Sequence, residues 1–593
     1  MIVPFLLMFS GSMKGQYNSS RLNLVPQYLY DDLELYRTWC ESKYTKIDNY
    51  NASNEIPYMS FSELEVLAAE KEKELLKQYK SYLNENVGSI YNSRLGHVNA
   101  SNKNLPELGL EFIRHLDDNF GGLNKTNQAL KLNMPNWQSL AGAVIQQNFF
   151  SKSFTANDSA LMTELIEFKQ QANQADLFYP SVDGQFRSQM ILPFTGTDLE
   201  EISKMTGLEI KAIHELHLSH TQGNDWYNKQ RSSFIRQFLN PRYIDLKKTA
   251  TQKINYQDFI KNNFLGDINT AQKVFPHLSS FEEIELITQM PNNSQEAVLY
   301  GAYIERSADF DSLLLRGPQR GFQGFLLDEY GDLKSINKAL KRDFNSIHEI
   351  YIPQSSLDYN YVLENKTKLR WDLASINIRF VFNYLTQQGR AAWVTLVFCL
   401  LTIISSLIVN PLAAYALSRY QLPSTYKILM FFMATMAFPV AVTQIPSFLL
   451  LKDLGLLNTF WALVLPTMAN GYSIFILKGF FDSLPKELYE AASIDGAGEF
   501  RMFWQITLNL SKPVLALIAL NSFTAAYGNF MYALLICQDE SMWTIMVYLF
   551  KLQTEASQAV IYASLVVAGI PTLIIFLSCQ KVIMKGIVIP SEK

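Results

Sequence analysis

Hydrophobic and polar positions divide this chain into two parts. From Gln16 to about Gln388 the sequence is polar, rich in Asn, Gln, Lys and Glu with scattered aromatics; from Ala391 onward, long apolar runs dominate. Five runs stand out: Ala391–Leu417, Tyr426–Leu451, Asn458–Phe481, Pro513–Cys537 and Ala559–Met584. Each approaches or exceeds the roughly 20 residues a helix needs to cross about 30 Å of hydrocarbon. None alternates with the period of two that barrel strands show. Buried helices of a large soluble core account poorly for five such runs in succession. The pattern therefore predicts a helical integral membrane protein.

Charge between the runs sets the expected orientation, because cytoplasmic loops carry the excess of Lys and Arg. Arg419 and Lys427 lie in the first connection, Lys478, Lys486, Arg501 and Lys512 in or beside the third, and Lys581, Lys585 and Lys593 close the chain. The second connection has only Lys452 beside Asp453, and in the fourth Lys551 is opposed by Glu555. The first and third connections and the C-terminus are thus expected in the cytoplasm, and the polar region outside. Residues 1–15, "MIVPFLLMFSGSMKG", hold an apolar stretch of about nine residues, too short to span, without the basic start of a signal peptide. We expect them to be the remnant of a first transmembrane helix, cut short at its start; a degenerate signal sequence is the other reading.

Composition adds exclusions. The net charge of −4 and the lack of a basic tract argue against a nucleic-acid partner. The four cysteines, Cys40, Cys399, Cys537 and Cys579, have no disulfide-framework or metal-ligand spacing. No G-x-x-x-x-G-K-[ST] phosphate loop occurs, so any ATP must be used by another chain.

Between the third and fourth runs lies "FFDSLPKELYEAASIDGAGEFRMFWQITLNLSKP". Proline and acidic residues open a helix, and Asp495-Gly496 stops it with a sharp turn. Phe500, Phe503, Trp504 and Ile506 offer an apolar face to a second short helix. Two short helices joined at a tight bend make a knob that can enter a cleft on another protein. The spacing of Glu490-Ala491-Ala492, Gly496, Ile506 and Leu508 resembles the EAA loop of ATP-binding-cassette importer permeases. The surrounding text is similar to the sugar-importer subfamily, the maltose- and glycerol-phosphate-type inner-membrane subunits. "NPLAAYALSRYQLPS", "QIPSFLLLKDLGLLNTFWALVLP" and "KVIMKGIVIP" extend the likeness from about Phe380 to the end. One departure is Asn509, where the family usually carries proline.

The resemblance implies an all-α membrane protein with a type I ABC importer-like transmembrane domain at 389–593, its EAA loop at 485–513. Residues 16–388 would form a mainly helical extracytoplasmic insert. It implies docking of Glu490, Ala491, Ala492, Asp495, Gly496 and Ala497 on a dimer of ATPase subunits. It further implies a second permease subunit, an extracytoplasmic solute-binding protein, membrane lipid around the spans, and a place in a bacterial inner membrane. No cofactor is expected on this chain, and no enzymatic activity of its own. In "NSFTAAYGNFMYALL", Asn521, Thr524, Tyr527, Asn529 and Tyr532 are polar groups in an apolar span, which normally face a cavity or a neighbouring helix. The family places substrate contacts in this region, so these five are the expected sugar pathway; helix packing is the alternative for each.

The insert carries a degenerate repeat. Tyr44, Phe120, Phe264 and Tyr330 are each followed sixteen residues later by similar clusters, beginning at Ser60, Asn136, Ser280 and Ser346. Each copy reads as a helix, a turn and a Ser- or Asn-capped second segment. The copy "FLLDEYGDLKSINKALKRDFNSIHEIYIP" faintly resembles a segment of some sugar-cleaving barrel enzymes, whose activity does not carry over. "HELHLSH" spaces His214, His217 and His220 three apart, as on one face of a solvated helix; no metal site is expected there. The insert reads as a docking or solute-binding module, or as a glycan-trimming enzyme, for which the sequence reveals no carboxylate pair. For the whole chain the alternative is a membrane-anchored glycan-binding receptor or glycan-processing protein, which would not need the EAA loop.

Overall fold

The computed structural model describes residues 2–65, 69–85, 93–97, 106–146, 160–172, 177–179, 181–219, 222–387, 389–420, 423–436 and 439–586. His220 and the tail 587–593, both used above, lie outside them. The chain divides into two compact units, Met1–Met13 with Ala374–Lys593, and Lys14–Leu373.

In the first unit two helices are long and apolar enough to cross a membrane unbroken, Arg390–Arg419 and Gln558–Gln580. The first covers 30 residues, about 45 Å at the helical rise of about 1.5 Å per residue. Along it Leu396, Leu400, Ile404 and Ile408 stand exposed at four-residue intervals. An apolar stripe of that kind is costly against water and natural against lipid.

The other three expected spans are each built of more than one helix. Tyr426–Leu451 forms two helices, Thr425–Met436 and Val440–Asp453, the second entered through Pro439, whose ψ of 133° is not helical. Asn458–Phe481 becomes Phe460–Thr467 and Gly471–Asp482, bent by 50°. Pro466 lies in the first piece, and the Asn470 side chain caps the second. Pro513–Cys537 breaks after Tyr527 and resumes at Met531, so Gly528, Asn529 and Phe530 form an irregular step. Irregular backbone at such depth is tolerated only where protein or a cavity receives its polar groups.

Buried polar side chains stitch these pieces together. Asn410, fully buried, accepts from the Asn470 backbone N–H at 2.8 Å and donates to the Ser406 carbonyl at 2.9 Å. Ser522 donates to Ser406 Oγ at 2.9 Å. The helix Ile2–Ser12 packs on Gln558–Gly586, where a Cβ on Gly11 would lie 2.4 Å from the Tyr562 ring.

The Lys14–Leu373 unit is built of short helices with one two-stranded antiparallel sheet, Ile244–Leu246 against Leu313–Leu315. Its core is rich in tyrosine: Tyr28, Tyr44, Tyr227, Tyr243, Tyr256 and Tyr300 are all fully buried. One local arrangement recurs. Helices ending at Tyr44, Phe120 and Tyr330 turn on Thr45, Gly121 and Gly331, each with positive φ, into second helices. The second helix is then tied to the chain beyond it. Asn51 brackets Tyr58, Asn127 brackets Met134 and Asn337 brackets Phe344, each amide accepting from the backbone N–H and donating to the carbonyl of the same residue. Ser60, Ser280 and Ser346 then cap 3-10 turns whose Glu63, Glu283 and Glu349 accept the N–H of Met59, Ser279 and Asn345.

The expectation for "HELHLSH" needs correction. His214 sits in a 3-10 turn, Ile213–Glu215, followed by irregular chain, and His217 is buried with its ring 5.4 Å from that of His348. Leu216 and Leu218, fully buried on either side, pull the segment into the core, which a solvated helix face cannot satisfy. Among the described residues no group of three or more metal-binding side chains occurs.

Candidate functional site

The loop between Gly471–Asp482 and Lys512–Tyr527 is an ordered knob. Pro485 precedes the helix Lys486–Ile494. The helix closes on Gly496, whose φ is +79°, with Ala497 N–H donating to the Ala492 carbonyl at 2.9 Å and Gly496 N–H to that of Ser493 at 3.1 Å. This is the paired hydrogen-bond stop that glycine permits at positive φ. Nothing lies within 4 Å of a Cβ placed on Gly496, so backbone conformation and not crowding demands the glycine.

The chain then rises through Glu499–Arg501, a wide turn Met502–Thr507 and Leu508–Leu510, and bends by 81° at Ser511 into the span. Ser511 Oγ donates to the Thr507 carbonyl at 2.6 Å. Asn509, the departure from the family pattern, stands in Leu508–Leu510 and donates from its side-chain amide to the Gln505 carbonyl at 2.7 Å.

Tyr489 is the bolt of the knob. It is buried, its hydroxyl lies 2.9 Å from Thr507 Oγ1, and the Arg419 guanidinium sits 3.9 Å from its ring centroid. Tyr415 donates to Glu499 Oε2 at 2.7 Å. The helix ending at Arg419, the first arm and the second arm are therefore tied together. With Tyr489 turned in, Glu490, Ala491, Asp495 and Gly496 face outward, and Ala492 and Ala497 are half-buried against the base. Ile494 is 87% exposed, Phe500 76% and Trp504 60%, the last two with rings stacked at 6.4 Å. Phe503, grouped with them on sequence, is buried in the base. Sequence reasoning missed Tyr415, Arg419 and Tyr489 as the anchors; only their aromatic and cationic character inside "YALSRY" and "ELYEAA" hinted at them.

The five expected pathway residues divide. Asn521 and Thr524 stand exposed on one face of Lys512–Tyr527, together with Ala525 and Gly528. Asn529 is half-buried in the break beyond. Tyr527 and Tyr532 instead turn into the packed interior, where their hydroxyls donate to the carbonyls of Ala568 at 3.1 Å and Ala462 at 3.5 Å. A hydroxyl in apolar surroundings takes the nearest free acceptor, so these two are held as packing groups.

Comparison with known proteins fits this architecture. Residues 410–588 match the family described as binding-protein-dependent transport system inner membrane component. The polygalacturonan/rhamnogalacturonan transport system permease protein YtcP of Bacillus subtilis (strain 168) is 35% identical over 205 residues, covering 32% of this chain and 71% of that protein. The galactooligosaccharides transport system permease protein GanQ of the same organism is 34% identical over 193 residues, 32% of this chain and 68% of its own. The diacetylchitobiose uptake system permease protein NgcG of Streptomyces coelicolor is 28% identical over 249 residues, 41% and 78% respectively. Among solved structures, a bacterial ABC transporter that imports the acidic polysaccharide alginate matches at 27% identity and a TM-score of 0.30, over 32% of this chain and 74% of that one. With its broken spans, its ordered loop and these relatives, the chain belongs to the family of inner-membrane components of binding-protein-dependent transport systems, the ABC transporter permeases of carbohydrate transport.

Proposed function

We propose that this chain forms one half of the transmembrane pathway of an ATP-driven importer for a sugar or oligosaccharide, and that the knob from Lys486 to Leu510 couples it to a separate ATPase. The observation that carries the reading is the knob itself: Ile494, Phe500 and Trp504 are exposed on a loop whose base is locked by Tyr489, Thr507 and Arg419. Exposed aromatic and aliphatic anchors on a rigid mount are the makings of an interface hot spot. A rigid mount also transmits displacement: a push on Ile494 moves the Lys512–Tyr527 span through the bend at Ser511. The relatives' sugar cargoes support carbohydrate as the substrate class. Asn521 and Thr524, with Asn529 at the break, would line the path, opposite a second permease subunit. The charge of the loops supports a cytoplasmic knob and C-terminus, with the recurrent-turn unit 14–373 outside, where it would receive solute or a solute-binding protein.

The test is Gly496→Val in the reconstituted transporter. A β-branched residue at φ +79° is strained, so the knob should lose its bend. We expect sugar uptake to fall at least tenfold while ATP hydrolysis persists and membrane insertion is unchanged. Uptake at the wild-type rate would count against coupling through this loop.

A further inference from the structure

Well-separated stretches of sequence bring charged and hydroxylated side chains together inside the Lys14–Leu373 unit. Glu55 follows the short helix Ile47–Asn51, Glu72 lies on Ala69–Glu85, and Arg187 opens the wide turn Arg187–Ile191. His214 belongs to the turn Ile213–Glu215, and Tyr351 and Ser355 flank the start of Gln354–Glu364. Ser355 Oγ donates to Glu55 Oε1, while Tyr351 Oη donates to Glu72 Oε1 at 2.8 Å. Arg342 Nη2 pairs with the same Glu72 oxygen. The His214 ring lies 5.2 Å from that of Tyr351.

Two oxygens are left over. Glu55 and Glu72 are 3% and 2% exposed, and Oε2 of each is buried with no hydrogen-bond donor among the described residues. Arg187, also buried, makes one hydrogen bond among them, to the Leu216 carbonyl at 3.0 Å. These groups are close enough to feel one another: besides its burial, the charge of Glu72 raises the Glu55 carboxyl and that of Arg187 lowers it. A buried acceptor without a donor is costly, and native proteins carry few of them. Two such acceptors, a guanidinium with N–H groups to spare and an aromatic pair are together the complement of a hydroxylated ring. Sugar hydroxyls can donate to both Oε2 atoms, a ring or hydroxyl oxygen can accept from Arg187, and the C–H face can lie on Tyr351 or His214. The Arg187 and Arg342 guanidiniums balance the Glu55 and Glu72 carboxyls, so the cluster offers no uncompensated charge to an ionic sugar and favours a neutral one. His214 and Arg342 are only partly buried and mark the side on which the cluster meets solvent.

We propose that Glu55, Glu72, Arg187, His214 and Tyr351 form a binding site for a neutral saccharide within the polar unit of this permease. The choice of ligand class rests on the carbohydrate-import reading above. The full chain in lipid nanodiscs is titrated calorimetrically with maltose, cellobiose and galactobiose, and with digalacturonate as the charged control. At least one neutral disaccharide should bind, and Glu55→Gln and Tyr351→Phe should each weaken it tenfold or more while the chain stays folded, as read by an unchanged far-ultraviolet circular dichroism spectrum at the assay temperature. Three outcomes would overturn the proposal: no neutral disaccharide binds, digalacturonate binds more tightly than all of them, or neither substitution changes the affinity. Recovery of a cleaved probe would replace the binding site by an enzyme. The Gly496→Val chain should bind as the wild type does, so a failure of coupling and a failure of this site are read separately.

Discussion

The two units of this chain solve the burial of polar groups in opposite ways. In the membrane unit the buried polar side chains are mostly hydroxyls and amides bonded close by, as where Asn410, Ser406 and Ser522 form one small cluster, and large apolar side chains such as Leu396, Leu400, Ile404 and Ile408 stand exposed. In the polar unit the interior is itself polar, with fully buried tyrosines, buried Asp183 paired with half-buried Arg320 at 3.0 Å, and the buried carboxylates Glu55 and Glu72. Lipid removes the hydrophobic drive for association, so membrane helices rely on close packing and a few hydrogen bonds. Water supplies that drive, and the polar unit can spend part of it on buried charges held by partners. Its folded state should therefore be far more sensitive to the loss of one polar group.

The largest effect expected from this contrast is at Asp183. It accepts from Arg320 Nη2 and from the Leu218 N–H at 2.9 Å. Asp183→Ala would remove the charge that faces buried Arg187 and half-buried Arg320 and leave the Leu218 N–H without its acceptor, at a cost of roughly 3–5 kcal/mol. Thermal unfolding of the full chain should show the transition of the polar unit falling while that of the membrane unit stays in place.

Next comes pH. Burial pushes the Glu55 carboxyl up from 4.5 to about 7, with the Ser355 hydrogen bond opposing it. The folded chain thus keeps a proton that the unfolded chain releases. Stability from this group is full below about pH 4.5 and is lost as pH rises to about 7, on the order of 3 kcal/mol in all. His214 runs the other way: burial lowers it to about 4, so its contribution is lost as pH falls from 6.5. The quantity to read is accordingly the difference between wild type and Glu55→Gln, which should shrink across pH 4.5–7, where the unfolded chain has released the Glu55 proton and the folded chain still holds it. A pH-independent difference would contradict the assignment.

The smallest effect belongs to the membrane unit. Asn410→Ala removes the acceptor of the Asn470 N–H from a neighbouring helix and a donor to Ser406 of its own helix, yet within a bilayer such bonds average only about 0.6 kcal/mol and reach about 1.7. Unfolding in nanodiscs should register a loss in that range; a loss as large as that of Asp183→Ala would erase the contrast.

Legibility in the sequence follows the range of the interactions. The knob was readable because its signals are local: proline at the start, Glu490-Ala491-Ala492, and a glycine stop at Gly496 all act within one or two turns. The spans were readable as composition and Pro439 as a kink or break, but the breaks at Pro466 and Gly528 were not, since a proline in an apolar run kinks or passes unnoticed according to what receives the freed backbone groups. Tyr527 and Tyr532 looked like pathway residues because the sequence does not say which face of a helix is closed by a neighbour. The Glu55–Glu72 cluster was beyond reach, because its members lie from position 55 to 355 and neither Glu55 nor Glu72 stands in a motif. "HELHLSH" misled for a related reason: a three-residue period implies a helix face only where a helix forms, and Leu216 and Leu218 are claimed by the core on both sides of His217.

The central claim is that the exposed tip of the knob is where another protein pushes. The most direct measurement places a cysteine at the tip, Ile494→Cys, on a chain whose four native cysteines are replaced, and cross-links it in the assembled transporter. The account predicts one dominant product with an ATPase subunit, with a yield that changes on addition of ATP and magnesium. A cysteine there that reacts freely with water-soluble maleimide in the assembled complex, and forms no protein cross-link in any nucleotide state, would contradict it.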